Sequence, residues 1–71
     1  MMTKEFNVPE ISCQHCVNAI TKEVSGISGV QNVKVDLGSK RVSVQADESV
    51  SSDTIVEAIN EAGYDDVTVL N

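Results

Sequence analysis

The sequence predicts an α+β domain in which two helices cover one face of a four-stranded antiparallel sheet. Alternating apolar and polar residues mark four short strands, and apolar residues at three- and four-residue spacing mark two helices. These segments follow one another as strand, helix, strand, strand, helix and strand. A chain of 71 residues is long enough for one such domain, so we expect residues 1–71 to form a single domain.

The first half of the chain contains the first strand, a loop and the first helix. The strand is predicted at residues 4–8, and Pro9 ends it because proline has no N–H to donate to a sheet ladder. A loop over residues 10–16 then leads into the helix. Its apolar stripe consists of Val17, Ile20, Val24 and Ile27. Gly26 and Gly29 bracket the expected C-terminus of the helix, where glycine tolerates a left-handed cap.

The second half contains a hairpin, a helix and the last strand. Strands at 33–37 and 41–46 flank Gly-Ser at 38–39, which is typical of a tight hairpin turn. The apolar face of the second helix consists of Ile55, Ala58, Ile59 and Ala62. The serines that could cap its start are Ser49, Ser51 and Ser52. Gly63 ends the helix, and residues 67–70 form the last strand. Two strand–helix–strand halves with right-handed crossovers give a ferredoxin-like βαββαβ sandwich.

Composition excludes several classes of function. Eleven acidic residues against five basic ones give a net charge of −6, which argues against a nucleic-acid partner. No run of about 18 apolar residues occurs, so we expect no membrane insertion. The first residues lack the apolar segment of a secretory signal, and we therefore expect a cytoplasmic protein. So small a domain has little room for a pocket that encloses a substrate, and we expect no enzymatic activity.

The chemistry of the chain is concentrated in Cys13 and Cys16, a C-x-x-C pair. A disulfide between them would close a very small loop and would hardly constrain the unfolded chain. We expect Cys13 in an exposed loop and Cys16 in the first helical turn, where the helix N-terminus favours the thiolate. Two thiolates are enough for a linear Cu(I) site, whereas structural zinc takes four ligands. The residues therefore favour a two-coordinate soft cation.

Two alternatives remain open for the same cysteine pair. The fold could carry zinc, cadmium or mercury, with a carboxylate near the loop, such as Glu10, raising the number of ligands. The chain could instead be a thiol–disulfide exchange protein, because thioredoxin-like enzymes also use C-x-x-C.

Residues 11–16, Ile-Ser-Cys-Gln-His-Cys, resemble the metal loop of heavy-metal-associated domains, which include bacterial copper chaperones. Further similarities are the pairs Gly29-Val30, Ala58-Ile59 and Gly63-Tyr64. The resemblance implies that Cys13 and Cys16 bind one Cu(I). It also implies transfer by ligand exchange to the metal-binding domain of a copper-transporting P-type ATPase. We expect a free-standing monomer rather than an ATPase domain, with a copper-bridged dimer as an alternative state.

The loop departs from the family pattern just before the first cysteine. The family usually has Gly-Met where this chain has Glu10 and Ile11. Since that methionine packs inward, we expect Ile11 to anchor the loop by filling a similar volume. Ser12 occupies the position that the family gives to Thr or Ser. Glu10 adds a charge close to the loop.

Two further residues are candidate neighbours of the metal. His15 lies between the cysteines, and at that spacing we expect its side chain to point to solvent. Its alternative role is that of an occasional third ligand or a contact in a copper-bridged dimer. The resemblance places Tyr64 beside the metal loop, where its hydroxyl can shield or hydrogen-bond the thiolates. A ring that covers the end of the core is an equally consistent interpretation.

The charged residues are unevenly distributed. The second helix carries an acidic stripe of Asp53, Glu57 and Glu61. It is either a solvated face or a surface that steers the protein toward a basic partner. Met1 and Met2 stand at the start of the chain, and we assign them no role in metal binding.

Overall fold

The computed structural model describes residues 2–70 and contains the predicted order of strands and helices. The strands are β1 (Met2–Asn7), β2 (Val30–Asp36), β3 (Arg41–Ala46) and β4 (Thr68–Val69). The helices are α1 (Gln14–Ser25) and α2 (Ser52–Glu61). Met1, to which we assign no role, lies outside the described residues, as does Asn71.

The four strands form one antiparallel sheet in the order β2-β3-β1-β4, as the ferredoxin-like arrangement requires. Asn7, the last residue of β1, pairs with Arg41 at the start of β3 and with Thr68 at the start of β4. The β1–α1 loop (residues 8–13) and the α2–β4 loop (residues 62–67) therefore meet at the same end of the sheet. We call this the site end, because it contains the two cysteines and Tyr64.

The core lies between the sheet and the helices and is almost entirely aliphatic. Its buried residues are Phe6, Val8, Ile11, Cys16, Ile20, Val24, Val42, Val44, Ala46, Val50, Ile55 and Ile59. The predicted stripe of α1 is confirmed at Ile20 and Val24. Val17 and Ile27 are half-buried at its margin. Cys16 occupies a core position that the apolar spacing did not include, so one of the two thiols is fixed by packing.

The connection between β2 and β3 differs from the predicted turn at 38–39. Asp36 and Arg41 form the last pair between the strands, so residues 37–40 make the connection. The carboxylate of Asp36 accepts hydrogen bonds from the N–H groups of both predicted turn residues, at 2.9 and 3.4 Å. The left-handed residue is Lys40, with φ of 59°. The hairpin turn is therefore confirmed at Gly38 and Ser39, but it extends over residues 37–40 because the Asp36 side chain organises it.

The glycines that follow the helices behave differently from one another. Gly26 and Gly29 lie at the end of α1 as predicted, and Gly26, the capping residue, has a right-handed φ of −75°. Gly29 and Gly63 have φ of 97° and 105°, respectively. A Cβ on Gly29 would also lie 2.8 Å from Cγ2 of Val50, so a side chain is excluded there on two grounds.

Three strands have bounds that differ from those predicted. β1 begins at Met2, and β2 begins at Val30, before an irregularity between Val30 and Asn32 that interrupts the alternation. β4 has two residues rather than the four predicted at 67–70. The N–H of Leu70 still bonds the carbonyl of Glu5 at 2.8 Å, so the contact with β1 continues past the strand.

Within residues 2–70, no helix has the length and apolar character needed to cross a membrane. The same part of the chain contains no pocket.

Candidate metal centre

The two cysteines face each other across the start of α1. Cys13 precedes the helix in an extended conformation, with φ of −156° and ψ of 173°, and Cys16 is the third helical residue. The carbonyl of Cys13 accepts hydrogen bonds from the N–H groups of Cys16 (3.1 Å) and Val17 (3.3 Å). The two sulfur atoms lie 3.7 Å apart. The first turn of the helix thus brings the predicted pair together.

The two thiols differ in their access to solvent. Both are free, but Cys13 is exposed, whereas Cys16 is only 8% exposed and packs with the core. The partial positive charge at the N-terminus of α1 lies close to Cys16, in the first helical turn, and favours its thiolate form. The site therefore combines one fixed sulfur with one that an approaching molecule can reach.

The loop before Cys13 is held by the core and by a local turn. Ile11 is fully buried, as predicted, and its N–H donates to the carbonyl of Val8 at 3.2 Å. Ser12 follows it, and its hydroxyl oxygen lies 3.9 Å from the sulfur of Cys16. Ile11 thus anchors the loop to the core, and Ser12 places a hydroxyl beside the sulfur of Cys16.

Tyr64 reaches the site from the α2–β4 loop. Its N–H donates to the carbonyl of Ile59 at 3.3 Å, and its own carbonyl accepts a hydrogen bond from the side-chain amide of Asn60 at 2.7 Å. The ring is half-buried against the core, and its hydroxyl acts on the sulfur of Cys16. Ser12 and Cys13 contact the same sulfur at 3.9 and 3.7 Å. Tyr64 therefore fits both interpretations, because its ring covers the end of the core and its hydroxyl acts on a thiolate.

The surroundings of Cys16 favour its charged form. The Tyr64 hydroxyl is the largest influence and, together with backbone hydrogen bonds from Ser12 and Cys13 and the Cys13 side chain, lowers the pKa of Cys16 to about 6, although burial opposes this. The same contact, with burial and the nearby negative charges, raises the pKa of Tyr64 to about 12. At neutral pH the pair therefore consists of a thiolate and a neutral phenol.

Two side chains considered as additional ligands lie apart from the sulfur pair. His15 is exposed on α1, as expected for a side chain that points to solvent. The carboxylate of Glu10 accepts a hydrogen bond from the N–H of Asp66 at 3.1 Å. Among residues 2–70, no three His, Cys, Asp or Glu side chains come together as a metal site.

Residues 5–65 match the family model of the heavy-metal-associated domain. The chain belongs to the heavy-metal-associated domain family. It is 47% identical over 64 residues to the copper chaperone CopZ of Enterococcus hirae, which covers 89% of this chain and 93% of that protein. A solved CopZ metallochaperone is 33% identical, with a TM-score of 0.85 and coverage of 97% and 100%. A copper-binding domain from HMA7, a P-type ATPase, is 26% identical, with a TM-score of 0.92 and coverage of 100% and 96%.

The acidic stripe of this heavy-metal-associated domain is exposed on α2. Asp53, Glu57 and Glu61 all face solvent. Asp53 lies in the first helical turn, where a negative charge interacts favourably with the helix dipole. A solvated, partly helix-stabilising face therefore accounts for the stripe, and its role in docking stays a prediction.

Asn60 is the neighbour of the site that the sequence did not indicate. Its amide holds the backbone of Tyr64 rather than any predicted ligand. The only sequence clue is an asparagine near the end of a helix, three residues before Gly63. Such a side-chain contact to the backbone carries no periodic signal.

Proposed function

We propose that the protein is a copper chaperone that binds one Cu(I) ion between the sulfur atoms of Cys13 and Cys16. The observation that carries this proposal is the approach of two free thiols to 3.7 Å at a helix N-terminus. Thiolates are soft ligands that favour Cu(I), whereas a closed zinc site takes four ligands. The CopZ relative of Enterococcus hirae, which is named a copper chaperone, supports the same metal.

The net charge of a site with two thiolates is compatible with Cu(I) and a neighbouring hydrogen-bond donor. Two thiolates and one Cu(I) carry a net charge of −1. With a pKa of about 12, the hydroxyl of Tyr64 remains protonated at neutral pH and can donate toward the sulfur of Cys16. A divalent ion would bring the same two-thiolate site to neutrality but would need further ligands. No other His, Cys, Asp or Glu side chain among residues 2–70 joins the cysteines to supply them.

We propose that copper leaves by ligand exchange with a partner's thiolate. A Cu–S bond to the partner forms while both cysteines still hold the ion, giving three-coordinate copper. One Cu–S bond to this chain then breaks, and the leaving sulfur keeps its electron pair as a thiolate. Because Cys13 is exposed, the incoming thiolate can reach the ion without unfolding the domain.

The partner we propose is the metal-binding domain of a copper-transporting P-type ATPase. The copper-binding domain of a P-type ATPase that shares this fold supports the pairing of two like domains. We further propose a monomer that acts in the cytoplasm and catalyses no reaction. The need for two reduced thiols supports this compartment, since the cytosol keeps cysteines reduced.

The proposal is tested by titrating the reduced protein anaerobically with Cu(I) against a competing chelator, and separately with Zn(II). We expect one tightly bound Cu(I) per chain, with binding lost in Cys13→Ser and in Cys16→Ser. His15→Ala is the matched control and should bind as the unaltered protein does. Equal or tighter binding of Zn(II) would contradict the choice of copper. Turnover of a disulfide substrate without tight binding of either metal would indicate thiol–disulfide exchange.

A further inference from the structure

A hydrogen bond between two distant parts of the chain joins the loops at the site end. Oε1 of Glu10, in the β1–α1 loop, accepts the N–H of Asp66, in the α2–β4 loop, at 3.1 Å. One loop contains Cys13 and the other contains Tyr64. The bond therefore ties the loop of the candidate ligands to the loop of their phenolic neighbour.

The backbone on either side of Glu10 is fixed. Val8 and Ile11 are both fully buried, and the hydrogen bond from Ile11 N–H to Val8 carbonyl closes the turn between them. Glu10 lies on the exposed side of this turn. The backbone that carries the Glu10 carboxylate is thus held in place by the core. The carboxylate can therefore restrain the α2–β4 loop.

The other restraints on the α2–β4 loop come from its own helix and from the core. Tyr64 is hydrogen-bonded back to α2 through Ile59 and Asn60, and Tyr64 and Val67 pack against the core. Beyond Val67, β4 has only two residues. Asp66 lies between these points, and its bond to Glu10 is a direct hydrogen bond from this loop to the metal loop.

We propose that Glu10 is a positioning residue that holds the α2–β4 loop against the metal loop and so keeps the Tyr64 hydroxyl beside Cys16. Without this bond, the part of the loop that follows Tyr64 is no longer tied to the metal loop, and the Tyr64 ring loses support for its position beside Cys16. The proposal concerns the metal-free protein and does not depend on which metal the cysteines carry.

The chain offers an intrinsic probe for this test. Tyr64 is the one tyrosine, and the chain has no tryptophan, so tyrosine fluorescence reports on the α2–β4 loop alone. Quenching of that fluorescence by acrylamide measures the access of solvent to the ring. Amide hydrogen exchange at Asp66, followed by NMR, measures the hydrogen bond itself.

Three variants of Glu10 separate the bond from the charge. Glu10→Ala removes the acceptor, Glu10→Asp keeps the charge but shortens the side chain, and Glu10→Gln keeps the reach but removes the charge. We expect quenching to increase in the Ala and Asp variants and to stay near the unaltered level in the Gln variant. Protection of the Asp66 amide should fall about tenfold in Glu10→Ala, as expected for the loss of one hydrogen bond to a charged group.

The control is Glu48→Ala, which removes the same charge from an exposed turn. That turn follows Ala46, which pairs with Met2 at the start of β1, so it lies at the end of the sheet opposite the site. Glu10→Ala matching Glu48→Ala in both measurements would overturn the proposal. A Glu10→Asp variant that behaves like the unaltered protein would also overturn it, because a negative charge at this position would then hold the loop without the hydrogen bond. Both measurements use metal-free protein, so their outcome is separate from that of the copper titration.

Discussion

Cys13 and Cys16 place their sulfur atoms 3.7 Å apart, but only Cys13 is exposed to solvent. Cys16 belongs to the core, and its surroundings favour the thiolate. The two ligands of the proposed site therefore differ in role. Cys16 holds a fixed position and charge, and Cys13 provides the open side from which a partner's thiolate can approach.

Tyr64→Phe should raise the pKa of Cys16 from about 6 toward the ordinary value of 9.0, because the hydroxyl is the largest cause of the lowering. The measurement is the ultraviolet absorbance of the thiolate against pH, in a Cys13→Ser background so that one thiol titrates. The ring stays in place, so the melting temperature should change little. A pKa that does not respond to the loss of the hydroxyl would show that the phenol has no influence on Cys16.

The free energy of unfolding of the metal-free protein should rise between pH 6 and pH 9. The pKa of Cys16 is about 6 in the folded state against 9.0 as its ordinary value, so the unfolded chain binds more protons in this interval. The stabilisation is fully present above about pH 9 and is lost as the pH falls through about 6. Urea unfolding at several pH values measures it. Cys16→Ser should flatten the dependence, and an equal slope in both proteins would contradict the account.

Ile11→Val should lower the free energy of unfolding by about 1 kcal/mol, since it removes one fully buried methylene from the anchor of the metal loop. Ile27→Val is the matched control, because Ile27 is half-buried just beyond α1. Urea unfolding at fixed pH compares the two, and the change at Ile27 should be the smaller. An equal cost at both positions would indicate that Ile11 is not a special anchor of the loop.

Local patterns in the sequence were sufficient to predict the position of the cysteines. Cys13 and Cys16 lie three apart at a helix start, and helix geometry alone brings such residues together. The burial of Ile11 followed from its family resemblance and its apolar character. The proximity of the cysteines depends only on residues close together in the chain, and the sequence therefore predicts it.

Contacts of polar side chains were not predictable in the same way. Nothing in the periodicity indicates that Glu10 bonds the backbone of Asp66 or that Asn60 holds Tyr64. The turn before β3 is longer than the Gly-Ser pair indicates for a related reason, because the Asp36 carboxylate accepts hydrogen bonds from the N–H groups of Gly38 and Ser39. Hydrophobic patterning specifies the layers of a fold, whereas these hydrogen bonds depend on where its loops meet.

X-ray absorption at the copper edge of the protein loaded with one Cu(I) determines whether the two cysteines alone bind the copper. We expect two sulfur neighbours, with no nitrogen or oxygen ligand, and the same spectrum in His15→Ala. A third sulfur, as in a copper-bridged dimer, or an imidazole signal that disappears in His15→Ala, would contradict this expectation.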